Sequence, residues 1–151
     1  MSQVANPNPI LRAATTADTE MIRHLLESNG LPTSDLATAR PEFLIASRDG
    51  EILGIGALER FSGAALLRSV AVAAEWRRSG VGRLIVAELE RRARIAGVGE
   101  LILLTLTARD FFARLGYSVK DRTQVPPAVL DSAEFRSLCP ASAVCMAKAL
   151  R

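Results

Sequence analysis

The segment from Leu66 to Ile95 constrains the fold more than any other, because an apolar run, a glycine-rich turn and an amphipathic helix follow one another without a break. "LLRSVAV" at 66–72 reads as a strand. Arg77, Arg78, Ser79, Gly80, Val81, Gly82 and Arg83 come next, and beyond them Leu84, Ile85, Leu89, Ala93 and Ile95 share one side of a helix that Gly97 ends. The turn between strand and helix carries chemistry of its own. The first four N–H groups of a helix have no partner inside it, and the macrodipole makes that end electropositive, so an anion is favoured there. Gly80 and Gly82 have no Cβ to hold a ligand off, and Arg77, Arg78 and Arg83 add charge-assisted donors. We read this turn as a pyrophosphate cradle.

Elements on either side extend the pattern. Residues 1–9, with Pro7 and Pro9, read as a loose lead-in to a short strand from Ile10 to Ala13. Thr15 and Asp18 form a capping pair for a first helix whose Met21, Ile22, Leu25 and Leu26 recur at helical spacing until Gly30. "LPTSDLATARP" suits a brief second helix or a loop over a site mouth. Asp49-Gly50 joins two apolar runs into a hairpin. "LILLTL" at 101–106 has the composition of a strand covered on both faces, a helix runs from about Ala108 to Leu115, a strand follows Gly116, and "AVCMAKAL" closes the chain as another strand. The order predicts an α/β (α+β) domain over residues 10–151, a mixed sheet with helices on both faces.

Bulk properties exclude several functions. With 151 residues, 49% of them hydrophobic, the chain fits one domain with an ordinary core. Its 19 basic and 16 acidic residues leave a net charge of only +3, and the arginines from 77 to 94 have no interleaved aromatic platform, so no nucleic-acid partner is expected. Cys139 and Cys145 make neither a disulfide framework nor a four-ligand zinc set, and no metal is expected. No apolar run reaches the roughly 18 residues that span a bilayer, and no signal-peptide pattern opens the chain. The expectation is a cytoplasmic protein, with no membrane partner and with reduced thiols.

Two better-known phosphate-binding turns fail on particulars. A dinucleotide fingerprint needs a third glycine where Ile85 stands, and a nucleotide P-loop needs Lys then Ser or Thr where the chain has Arg83-Leu84. Arg77-x-x-Gly80-x-Gly82 between "SVAV" and an amphipathic helix resembles instead the Gcn5-related N-acetyltransferases (GNAT), over residues from about 10 to 150. The resemblance implies a mostly antiparallel sheet of six to seven strands and acetyl-CoA as co-substrate. It implies that the amides of Arg78 to Arg83, including Ser79 and Val81, hold the pyrophosphate. It further implies that the strand edge Val70, Ala71 and Val72 pairs with the pantetheine arm, two parallel strands being splayed apart there, so that Val72 N–H polarises the thioester carbonyl.

The family's next motif maps onto Thr105, Ala108 and Phe112, then Gly116-Tyr117, with phenylalanine where many relatives place the tyrosine that protonates the leaving thiolate. That departure leaves three outcomes open: another group or water supplies the proton, the thiolate leaves unassisted, or the protein is a non-catalytic acyl-CoA sensor. Tyr117, the only tyrosine, stands at a position that usually packs. Glu59, near the end of the third strand, is the candidate base that would deprotonate an amine acceptor. Arg68 and Ser69, on opposite faces of the neighbouring strand by simple alternation, are candidates for acceptor binding. His24, the lone histidine, reads as a surface residue of the first helix. The tail "EFRSLCPASAV" resembles that of a subgroup found with arsenic-resistance operons, which implies an amino acid carrying an arsenic or phosphorus acid as acceptor. Soft thiolates bind trivalent arsenic, yet Cys139 reads first as a buried structural thiol. Family members often dimerise through their C-terminal strands, so a homodimer is a further expectation.

Overall fold

The computed structural model describes residues 9–138 and 141–150. Most of the expected lead-in, and Cys139 with the turn at Pro140, lie outside the described residues. Seven strands form one sheet: β1 Ile10–Ala13, β2 Glu42–Arg48, β3 Glu51–Arg60, β4 Ala64–Val72, β5 Glu100–Thr105, β6 Ser118–Val119 and β7 Val144–Ala149, in the order β1-β2-β3-β4-β5-β7-β6. All neighbours are antiparallel except β4 and β5. The helices are α1 Thr19–Ser28, α2 Leu36–Ala39, α3 Val81–Ile95, α4 Arg109–Arg114 and α5 Pro127–Leu130. This is the mixed sheet with helices on both faces that the element order predicts, and it is mostly antiparallel, as the resemblance implies.

Alternation along the strands sorts the core into faces. Leu44, Leu53, Leu67, Leu101 and Leu103 pack with Ile85, Val86 and Leu89 of α3. Ile45, Ile55 and Ala71 point the other way, onto Ile22 and Leu26 of α1, and Leu66 and Ile102 meet Val129 of α5 together with Phe135. Two glycines of β3 let α3 lie close to the sheet. A Cβ at Gly56 would stand 2.7 Å from Ile85 Cγ2, and one at Gly54 would stand 2.9 Å from the carbonyl oxygen of Ala71. The hairpin from β2 to β3 turns on Asp49 and Gly50, whose φ angles of 51° and 81° suit a primed turn that matches strand twist.

One irregularity positions everything functional. Ile55 faces Ala71 while Ala57 faces Arg68, so three steps on β4 answer two on β3, and Ser69 takes a φ of 58° within this bulge. A bulge bends its strand and sharpens its twist. β4 accordingly pairs with β5 only through Ala64–Leu66 against Glu100–Ile102, although β4 runs on to Val72 and β5 to Thr105. Beyond that pairing the two parallel strands stand apart, with α3 and α4 at the mouth of the gap.

Candidate active site

The turn entering α3 is built to present main-chain donors. Arg78 and Gly80 both have positive φ, 65° and 93°, and such alternation of handedness points successive amides to one side. The first bond of the helix is Leu84 N to Gly80 O at 3.1 Å. Among the described residues, the amides of Arg78, Ser79, Gly80, Val81, Gly82 and Arg83 have no acceptor. The Ser79 hydroxyl donates to Trp76 O within the turn, and Arg77 donates to Asn29 Oδ1 at 3.0 Å, which ties the turn to the C-terminal end of α1. A cleft of about 710 Å³ opens over these amides, with Arg78, Arg83 and Arg114 on its walls and Gly82 on its floor. No carboxylate lies within ion-pair distance of these three arginines among the described residues.

The edge of β4 leads from this cleft into the gap. Ala73 N donates to Leu53 O of β3 at 2.8 Å. Amides alternate in direction along a strand, so those of Val72 and Val70 point away from β3 into the gap, while Ala71 faces Ile55. On the far side Thr105 Oγ1 accepts from Ala108 N at 2.9 Å, starting α4 and setting Phe112 against the opening. A second cleft, about 530 Å³, lies on the inner side of the gap and is bounded by Asn29 to Pro32, Arg68, Ser69, Leu103 to Thr105 and Glu134. Both clefts share Val70, Thr107, Ala108 and Phe112, so they adjoin on the two sides of these residues, the amide turn on one and Glu134 on the other.

Beside the inner cleft a buried arginine gathers three carboxylates. Arg68, 3% exposed, donates from Nη1 to Asp35 Oδ2 at 2.6 Å and from Nη2 to Asp35 Oδ1 at 2.8 Å. Nη1 also reaches Glu59 Oε1 at 2.9 Å, and Nε stands 3.6 Å from Glu134 Oε1. Burial works against the guanidinium's charge, but the bonds and charges of these carboxylates outweigh it and hold the pKa above its ordinary value. Burial also raises Glu134 to about 7; Arg68 opposes that shift, and the charges of Asp35 and Glu59 add to it. Arg68 Nε donates to Ser69 Oγ at 3.2 Å, so the two side chains share a side. Simple alternation, which puts them on opposite faces, fails because Ser69 lies in the bulge with a φ of 58°, which breaks the extended geometry that alternation requires.

Other singled-out residues fall outside the two clefts. Glu59 joins Arg68 but does not line the cleft, whereas Glu134 does. His24 is exposed on α1. Tyr117 is buried, donates to Glu90 Oε2 at 2.8 Å, and is raised well above the ordinary phenol range by burial and the Glu90 charge. Cys145 is buried in the β5–β7 core. Arg91 and Arg92 both engage Glu88. Asp35 and Glu134 escape sequence reasoning: the one sits in a stretch that reads as a brief second helix or a loop over a site mouth, with nothing to mark its carboxylate, and the other in a π-helical turn, Glu134–Leu138. Among the described residues no group of three or more His, Cys, Asp or Glu is placed to hold a metal, and no helix is long and apolar enough to cross a membrane.

A family model for the acetyltransferase (GNAT) domain matches residues 39–119, from the end of α2 through β6. The chain belongs to the GNAT acetyltransferase family. Among solved structures this GNAT enzyme is similar to N-acetylglutamate synthase from Neisseria gonorrhoeae, complexed with coenzyme A and L-arginine, at 21% identity and a TM-score of 0.82. That alignment covers 97% of this chain and 34% of the synthase, so the chain spans about a third of the synthase's length. It is also similar to Rv2747 from Mycobacterium tuberculosis, in complex with coenzyme A and a second ligand, at 29% identity and a TM-score of 0.81 over 95% of this chain and 100% of that one. A ribosomal-protein alanine N-acetyltransferase from Escherichia coli shares 18% identity at a TM-score of 0.72, covering 94% of each chain. The first and third likenesses establish a shared fold. No curated protein matches the sequence.

Proposed function

We propose that this GNAT enzyme transfers the acetyl group of acetyl-CoA directly to the amine of a small molecule. The observation that carries this reading is the run of amides from Arg78 to Arg83, without acceptors among the described residues, at the mouth of a gap between parallel strands. Six donors and two flanking arginines suit a pyrophosphate, and both Rv2747 and the gonococcal synthase were solved with coenzyme A. In this assignment Arg77 braces the turn through Asn29, Ser79 closes it, and Gly80, Val81 and Gly82 admit the phosphates. Val70 and Val72 offer main-chain groups to the pantetheine arm, Ala71 keeps that edge aligned through β3, and Thr105 with Phe112 forms the opposite wall.

The thioester supplies an activated acetyl group, and the protein's part is to aim and polarise it. Val72 N–H would donate to the carbonyl oxygen as negative charge grows there. Ser69 Oγ faces the inner cleft beside Arg68, where an acceptor would sit, and Glu59 acts through Arg68 by holding its guanidinium. The tail's resemblance to the arsenic-associated subgroup supports an amino acid carrying an arsenic or phosphorus acid as the acceptor to try first. Its acid group would have to stay clear of Arg68, which already serves three carboxylates.

Calorimetric titration with acetyl-CoA, followed by free-thiol release over a panel of primary amines, tests the proposal. Binding with amine-dependent release is expected. Binding without release from any amine would favour an acyl-CoA sensor, the reading that Phe112 in place of a tyrosine keeps alive.

A further inference from the structure

Four charged groups meet beside the inner cleft, Arg68 from β4, Asp35 ahead of α2, Glu59 from β3 and Glu134 from the π-helical turn, and three of them are occupied with one another. Asp35 takes two guanidinium hydrogen bonds and Glu59 a third. Glu134 is different. It is 5% exposed, lines the cleft, and has no hydrogen-bond donor within reach among the described residues; its charged neighbour is Arg68 Nε at 3.6 Å. A carboxylate that is nine-tenths buried and left without a donor is costly unless something brings protons to it. The side of the cleft it faces holds no lysine and no second arginine.

We infer that Glu134 receives the incoming acceptor as an ammonium and takes the proton that must leave before its nitrogen can attack. This deepens the acetyltransferase reading above and rests on it. One N–H proton passes from the ammonium to the Glu134 carboxylate, directly or through one water, which frees the nitrogen lone pair. The C–N bond forms as the C–S bond breaks and the thiolate departs, the second N–H proton is lost to solvent, from which the thiolate takes one up to become coenzyme A thiol, and Glu134 returns its proton to solvent. Placement on the inner cleft suits the role, since that cleft adjoins the one over the amide turn through Val70 and Phe112, and an amine bound there has the gap between β4 and β5 before it. A carboxyl that titrates near the working pH is also the most effective base, and Glu134 is raised to about 7.

The test compares wild type with Glu134→Gln by thiol release from acetyl-CoA, using the amine that wild type acetylates fastest in a panel of glycine, benzylamine, putrescine and 2-aminoethylphosphonate. Wild-type kcat/KM should rise through about pH 7 and then level. E134Q should be about a hundredfold slower at pH 7 and should climb tenfold per pH unit toward the amine's own pKa, because it can use only amine already neutral in solution. Unchanged acetyl-CoA affinity in E134Q would show that the cofactor half is intact. Parallel profiles for the two proteins would overturn the role of Glu134 while leaving the acetyltransferase standing. No thiol release from any amine by wild type would overturn both. Should E134Q fail to fold, wild type alone decides: a profile still climbing tenfold per unit above pH 8 excludes a base that is already ionised there.

Discussion

Arg68 and Asp35, 33 residues apart, meet through two guanidinium hydrogen bonds of 2.6 and 2.8 Å, and this pair fastens the segment ahead of α2 to the bulged strand β4. The pair is almost wholly buried, with side chains 0% and 6% exposed. Such a pair contributes little net energy against an apolar replacement, but removing one partner strands charge in a dry interior. Arg68→Met leaves three carboxylates facing one another. It should destabilise the protein by about 3–5 kcal/mol at pH 8. The loss should be smaller at pH 5, where carboxyls shed their repulsion by taking up protons. Urea midpoints at the two pH values measure this, and equal losses at both would show that lost packing rather than charge is responsible.

Glu134 gives a stability signature of its own. Its carboxyl is raised in the folded state from 4.5 to about 7, so between those values the folded protein keeps a proton that the unfolded chain has released. Stability is therefore full below about pH 4.5 and falls as pH climbs to 7, by up to about 3 kcal/mol at 1.36 kcal/mol per pKa unit. Glu134→Gln removes this dependence. The variant should match wild type near pH 4.5 and exceed it at pH 8, read as the denaturant midpoint across pH. A variant no more stable than wild type at pH 8 would contradict the raised carboxyl.

The features legible in sequence are local ones. Asp49-Gly50 dictates its own turn, and the glycines and arginines of 77–83 sit next to the helix whose amides they expose. β4 to α3 could be read in order because each element follows directly on the last. What escapes is set by distance or by a single backbone step. The bulge at Ser69 has no side-chain signal, yet it reverses the expected relation of Ser69 to Arg68 and bends β4 where it parts from β5. Asp35 and Glu134 reach Arg68 from segments 33 residues before it and 66 after it, so only the folded chain joins them. The insertion of β7 between β5 and β6 is likewise a topological choice that strand order along the chain does not express.

Gly82 lies in the first turn of α3, and a Cβ there would stand 3.2 Å from Phe111 Cζ and 3.7 Å from Val72 Cγ2, on the cleft side of the helix. Those neighbours are a ring tip and a methyl group, which yield by small rotations, so a larger residue is tolerated by the fold but intrudes on the ligand. Gly82→Asp places a negative charge against the phosphates that the amides are proposed to hold. Like charges in such contact cost several kcal/mol, so acetyl-CoA affinity should fall by at least about a hundredfold while the melting temperature shifts by only a few degrees. Undiminished affinity in a calorimetric titration would remove the amide turn as the phosphate site.

Phe112 sets the last question, whether the leaving thiolate needs an acid. Its ring is 7% exposed, borders both clefts, and stacks edge-on against Tyr117 at 5.6 Å and Phe111 at 5.0 Å. Tyr117 cannot stand in for a missing phenol, because its hydroxyl is committed to Glu90 and Lys148 Nζ binds the same carboxylate at 3.0 Å. A thiolate, with an unperturbed pKa of about 8.5 against about 10.4 for an alkylammonium, is the better leaving group of the two. It can depart without a proton donor. Phe112→Tyr should therefore change kcat by less than about threefold at pH 8, well below the roughly hundredfold that a working general acid contributes. A tenfold gain would show that protonation of the thiolate limits the native enzyme, and that the phenylalanine holds its rate down.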